Sequence, residues 1–289
     1  MVKRICVAAA LVATGAVIGW AGSAGGTERV GSARPEVPQG RIVDLSYPFN
    51  ADTIYWPTAE TFTLEKVAEG ETAGGYWYAA NNFSAAEHGG THLDAPVHFA
   101  ENGDKADEIP LRRLIGRGVV VDVTDAASAD RDHLISRADL AAHERRFGRI
   151  PRRAIVLLRT GYGRFWPDRE RYLGTAERGE AAVPKLHFPG LDPAAARWLV
   201  RRRAIKAVGL DTASIDRGQS TMFESHRVLG AANVPVFENI ANLDRLPAEG
   251  FLFIGLPMKI QGGSGGPLRA ERKREVKTME RSLRRFYGH

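Results

Sequence analysis

Five short apolar runs constrain the fold of this chain most. Ile42–Leu45, Gly118–Val123, Ala154–Leu158, Ala207–Leu210 and Gly250–Leu256 are four to seven residues long, β-branched or aromatic, and bounded by Gly, Pro or Asp. Runs of that length and composition read as buried strands. Helix signals lie between them. Ser136 precedes Ala138, Leu140 and Ala141 as the N-cap of a helix running to Phe147, and Asp192, followed by a first-turn Pro193, starts a second helix reaching Arg203. Strands and helices alternate without a linker-like change of composition over residues 41–269, which predicts a single-domain α/β fold.

The ends read differently. Lys3 and Arg4, an apolar run from Ile5 to Ala21, and Gly22-Ser23-Ala24 follow the charged, apolar, small-residue order of a secretory signal, so residues 1–24 are predicted to be cleaved and the mature protein exported, periplasmic or extracellular, with no stable membrane insertion. Residues 25–40, rich in Gly, Pro, Ser and Arg, read as a flexible linker. Residues 270–289 read as a basic helical tail. Between Arg269 and Arg285 stand eight basic and three acidic residues, which account for most of the net charge of +6. Basicity confined to one helix face, without interleaved aromatics, argues against a nucleic-acid partner. The single cysteine, Cys6, excludes any cysteine-ligated metal site within one chain. A metal must therefore sit on His, Asp or Glu.

Those residues are concentrated in His88-Gly89-Gly90-Thr91-His92-Leu93-Asp94-Ala95-Pro96-Val97-His98-Phe99, which holds three of the chain's eight histidines. Gly89-Gly90 and Pro96 oppose a helix here. In an extended segment with period two, His92, Asp94, Pro96 and His98 share one face, and the glycines let the chain bend so that His88 joins them. Imidazoles and a carboxylate converging on one point suit Zn²⁺ or Mn²⁺ with room for water. A second cluster is Glu224-Ser225-His226-Arg227, followed by Glu238 at the end of the apolar run Val234–Phe237. A partly buried carboxylate needs a cation, so Glu238 and His226 read equally as metal ligands or as a structural pairing with an arginine. The run Gly262-Gly263-Ser264-Gly265-Gly266 lacks the Lys-Ser/Thr of a phosphate loop and reads as backbone that must turn sharply or approach a ligand closely.

The segment from His88 to Phe99 resembles the HxGTHxDxPxHF signature of the cyclase-type metal-dependent hydrolases, a family that includes bacterial kynurenine formamidase and isatin hydrolase. The likeness extends to Leu114-Ile115-Gly116, Leu158-Arg159-Thr160-Gly161, Phe188-Pro189-Gly190-Leu191, the stretch from Gly209 to Asp216, and His226 with Glu238, covering about Ile42 to Arg269. The resemblance implies a swivelling β/β/α fold and one or two divalent ions, Zn or Mn, on His88, His92, Asp94, His226 and Glu238, with Asp94 able to bridge. It implies His98 as the acid/base residue, Trp56 or Trp77 against a substrate ring, and a homo-oligomer, dimer or tetramer.

The expected activity is hydrolysis of a C–N bond in a small aryl formamide or cyclic amide. A divalent ion activates water without a protein nucleophile, and the chain offers no Gly-x-Ser-x-Gly elbow as a rival. Lactone opening and non-catalytic metal binding are the alternatives. The export signal and the charged tail depart from the family pattern and weaken N-formylkynurenine, an intermediate of tryptophan breakdown, as the specific substrate.

Overall fold

In the computed structural model, residues 42–274 are described, and the predicted signal, linker and remaining tail lie outside them. The strands are β1 (Val43–Asp44), β2 (Thr63–Glu71), β3 (Trp77–Ser84), β4 (His92–Asp94), β5 (Ile115–Asp122), β6 (Leu134–Ile135), β7 (Ile155–Arg159), β8 (Gly190–Leu191), β9 (Ala207–Leu210), β10 (Val236–Glu238), β11 (Phe251–Pro257) and β12 (Gly265–Arg274). The helices are α1 (Leu111–Leu114), α2 (Thr124–Ala129), α3 (Arg137–Phe147), α4 (Arg169–Leu173), α5 (Pro193–Trp198) and α6 (Glu224–Ala231). No helix among the described residues is long and apolar enough to cross a membrane.

The main eight-stranded sheet runs β1-β12-β11-β5-β7-β9-β10-β4, and Gly265–Pro267 of β12 pair with β4, which closes it into a barrel. β5, β7, β9 and β10 are mutually parallel, while the ladders through β4, β12 and β11 are antiparallel. The mixed α/β prediction therefore holds. Alternation along each strand splits the core in two. Val120, Ile155, Leu157 and Phe237 point inside with Leu93, Phe251 and Phe253. Val119, Val121, Val156, Leu158 and Val236 point outward against Leu140 of α3, Ala195 and Ala196 of α5 and Leu229 of α6. Ser136 caps α3 through the backbone N–H groups of Ala138 and Asp139, and Asp192 caps α5 in the same way. Past Trp198 the second predicted helix widens into a π-type turn over Leu199–Arg203.

The predicted helical tail beginning at residue 270 is corrected by the structure. Ala270–Arg274 complete β12, paired with β11 and, at Glu271 and Arg272, with β1. Leu268 and Ala270 alternate inward with the period of a strand, whereas Arg269 lies exposed. The domain thus extends through Arg274, beyond the predicted boundary at residue 269. β2 and β3 form a separate two-stranded hairpin that the sequence reading did not contain.

Candidate metal centre

Strand register assembles the centre. β4 and β10 run antiparallel with His92 opposite Glu238 and Asp94 opposite Val236. Leu93 and Phe237 turn into the barrel, so His92, Asp94 and Glu238 emerge together on the helix-covered side. There α6 supplies His226 from its first turn. That helix begins after Phe223, held in the left-handed region at φ 46°.

His88 arrives by a bend. Gly90 has φ +56°, a conformation that costs a side-chain-bearing residue about 1 kcal/mol. His98 arrives differently from the sequence expectation. The extended segment ends at Asp94, and Pro96–His98 form a 3₁₀ turn, since Pro96 has no N–H for a ladder while its carbonyl accepts from Phe99 N–H. His98 therefore reaches the centre from a turn, not by strand alternation. Its ring stacks on His88 with centroids 3.9 Å apart.

The donor atoms converge on Asp94. His88 Nδ1 lies 2.6 Å from Asp94 Oδ1, His92 Nε2 lies 3.1 Å from the same oxygen, and His226 Nε2 lies 3.0 Å from Oδ2. Glu238 Oε1 is 3.2 Å from His226 Nε2, and Oε2 is 3.5 Å from His92 Nε2. Two triads of ligand atoms result, His88/His92/Asp94 and Asp94/His226/Glu238, each with its atoms within 4.8 Å of one another and sharing Asp94. No arginine takes part in these pairs.

The electrostatics match a cation site. Burial pushes Asp94 up, but the charge of His88 and hydrogen bonds from His226, His88 and His92 outweigh it and hold the carboxyl well below its usual range. Burial and then the Asp94 charge push Glu238 up. Burial works to lower His226, yet its bonds to Asp216, Asp94 and Glu238 lift it well above the ordinary value. Two buried carboxylates this close require positive charge, which protonated imidazoles or divalent ions provide equally in kind.

Each buried histidine is oriented from behind. His92 Nδ1 lies 3.0 Å from Gly90 O and donates to it, which leaves Nε2 for the centre. His226 Nδ1 donates to Asp216 Oδ2 at 2.7 Å, and the same carboxylate accepts from the backbone N–H groups of Ser225 and His226. Asp216 thus orients His226, a contact that sequence reasoning did not assign although its stretch carried the resemblance. Ile215 N–H donates to Glu238 Oε1 at 2.7 Å.

Above the donors opens a cavity of about 300 Å³ whose walls include Ile54, Tyr55, Trp56, Phe99, Ala213 and Phe223. Trp56 packs near Phe188 and Phe223 and forms part of this wall. Trp77 does not. It stands on the hairpin, 67% exposed, and is absent from the lining, which corrects the expectation that it contacts substrate in the same chain. Phe99 and Phe223, unassigned from sequence, complete the aromatic wall. His98 is open to the cavity, and burial of its inner side, together with the positive neighbours His88, His226 and His92 and against the pull of Asp94, brings it down to about 4.

A protein-family profile described as "Putative cyclase" matches residues 43–217. An isatin hydrolase from Roseibium aggregatum is 31% identical over 215 residues, covering 72% of this chain and 79% of that protein. A kynurenine formamidase from Bacillus cereus is 26% identical over 231 residues, covering 79% of this chain and 95% of its own length. The solved structure of isatin hydrolase A from Ralstonia solanacearum matches with a TM-score of 0.73 at 32% identity, covering 81% of this chain and 92% of the other.

Proposed function

We propose, on the premise that the chain belongs to the cyclase family, that it hydrolyses the C–N bond of a small aryl amide at a divalent-metal centre. As a member of that family it is a hydrolase. The observation that carries the metal reading is the pair of donor triads sharing Asp94 on the floor of an aromatic-walled cavity. His88, His92 and Asp94 form one ligand set, and Asp94, His226 and Glu238 the other, for one or two ions of Zn²⁺ or Mn²⁺. When bound, the divalent ion supplies Lewis-acid activation of water and of the amide carbonyl.

The chain's own residues do the rest. His98, next to the ligands yet paired with neither carboxylate, is uncharged at neutral pH and accepts the proton of the attacking water. Water oxygen then bonds the carbonyl carbon, the C–N bond breaks, and His98 returns its proton to the leaving nitrogen. Trp56, Phe99 and Phe223 supply flat apolar surroundings for a ring.

Among the described residues the lining contains no lysine or arginine, so no permanently cationic side chain there faces an amino-acid carboxylate. This supports an uncharged ring amide such as isatin, named for two of the relatives, over N-formylkynurenine. Comparing kcat/KM for the two compounds tests the point: isatin should be preferred at least about tenfold, a difference of ~1.4 kcal/mol in transition-state binding. Equal rates would contradict it.

The same reading makes the protein exported, on the strength of its N-terminal signal pattern, and a homo-oligomer. Leu64, Val67, Tyr76, Trp77, Tyr78 and Phe83 are all exposed on the β2–β3 hairpin, an apolar surface that supports self-association.

A further inference from the structure

The glycine run around Ser264 holds a hydrogen-bond chain that ends on His88. Ser264 N–H and Ser264 Oγ–H both donate to Glu87 Oε2, at 2.9 Å and 2.5 Å. On its other side Ser264 Oγ lies 2.8 Å from His88 Nε2. A serine hydroxyl has one proton to give. Because that proton is committed to the Glu87 carboxylate, which only accepts, Ser264 Oγ can only accept from His88, and His88 Nε2 must carry hydrogen. The lone-pair-bearing or exchangeable position is then Nδ1, the atom 2.6 Å from Asp94 Oδ1.

We propose that Glu87 is a positioning residue which, through Ser264, fixes the proton of His88 on Nε2 and so makes Nδ1 its metal-facing atom. The inference rests on the metal-site reading above. It sets His88 apart from His92 and His226, whose Nδ1 atoms are occupied by Gly90 O and Asp216 and whose Nε2 atoms face the centre. It also gives the glycine run its reason. A Cβ on Gly263 would stand 2.7 Å from Glu87 Oε1, and one on Gly265 would stand 2.6 Å from His88 Cε1. Ser264 fits between carboxylate and imidazole because both its neighbours lack side chains.

The test uses the mature protein and Zn²⁺. In the crystal structure of the Zn²⁺-loaded wild type, His88 should ligate through Nδ1 while His92 and His226 ligate through Nε2; ligation of His88 through Nε2 overturns the proposal without any variant. Zn²⁺ affinity by chelator competition gives a second readout. Glu87→Ala and Ser264→Ala should each weaken binding about 10- to 100-fold, the range of outer-shell losses. Glu87→Gln, whose amide oxygen still accepts from Ser264, should bind within about threefold of wild type. Ring ¹⁵N shifts should place a proton on His88 Nε2 in loaded wild type and Glu87→Gln. Alanine variants that bind Zn²⁺ as tightly as wild type overturn the lock alone, whereas wild type that binds no Zn²⁺ overturns the metal-site reading beneath it.

Discussion

Glu238 stands directly opposite His92 across the antiparallel β4–β10 ladder, and both side chains leave the sheet on the face covered by α6. Because side chains alternate with period two, a slip of one residue in this register would carry the carboxylate into the barrel interior, where Phe237 now packs. The centre is therefore built into the sheet pairing itself, with the loops adding His88 and His98.

Glu238→Ala or His92→Ala should remove a ligand and leave the facing charge unpaired. Metal content after dialysis should fall below half of wild type, and turnover at least about 100-fold, since even outer-shell losses reach that size. Elemental analysis and initial rates on one preparation check both.

His98→Ala separates chemistry from binding. His98 touches His88 by stacking but pairs with neither Asp94 nor Glu238. Its removal should lower kcat about 10²- to 10⁴-fold, the usual yield of general acid–base catalysis, with metal content nearly unchanged.

Asp216→Asn leaves one oxygen where two now serve His226 and Ser225. Zn²⁺ affinity should drop about 10- to 100-fold, and chelator competition measures it.

Stability of the metal-free protein should fall as pH rises past neutrality. His92 and His226 are raised in the fold, so the stability they contribute is complete below their unfolded value near 6.5 and is lost as pH climbs through the folded values. Glu238, also raised, acts in the same direction. Divalent ions replace those protons. Added Zn²⁺ should therefore raise Tm more at about pH 8.5 than at about pH 6, and equal shifts by calorimetry would contradict the assignment.

Replacing Trp77 and Phe83 together by serine should lower the solution mass of an oligomer, measured by light scattering, without removing metal from the centre. Both side chains are exposed in the single chain and absent from the cavity lining.

Much of this was legible in the sequence for physical reasons. The parallel strands β5, β7 and β9 are covered on both faces and so read as continuous apolar runs. The centre was legible because His88, His92, Asp94 and His98 lie within eleven positions, and Trp56, to which the resemblance pointed, forms part of the cavity wall. What escaped has physical causes too. β12 carries alternating charge on a half-covered face, and Arg269, Glu271 and Lys273 mimic a solvated helix once Leu268 and Ala270 are overlooked. The β2–β3 hairpin buries neither face, so it shows no period-two pattern of burial. Asp216 and Glu87 act through other side chains, and only tertiary distances reveal which histidine each one holds.

The most direct measurement is the metal content of the purified protein paired with isatin hydrolysis before chelation, after chelation and after readdition of Zn²⁺ or Mn²⁺. One or two ions per chain, with turnover abolished by chelator and restored by metal, is the predicted result. Isatin hydrolysis at full rate in metal-free protein would contradict the account.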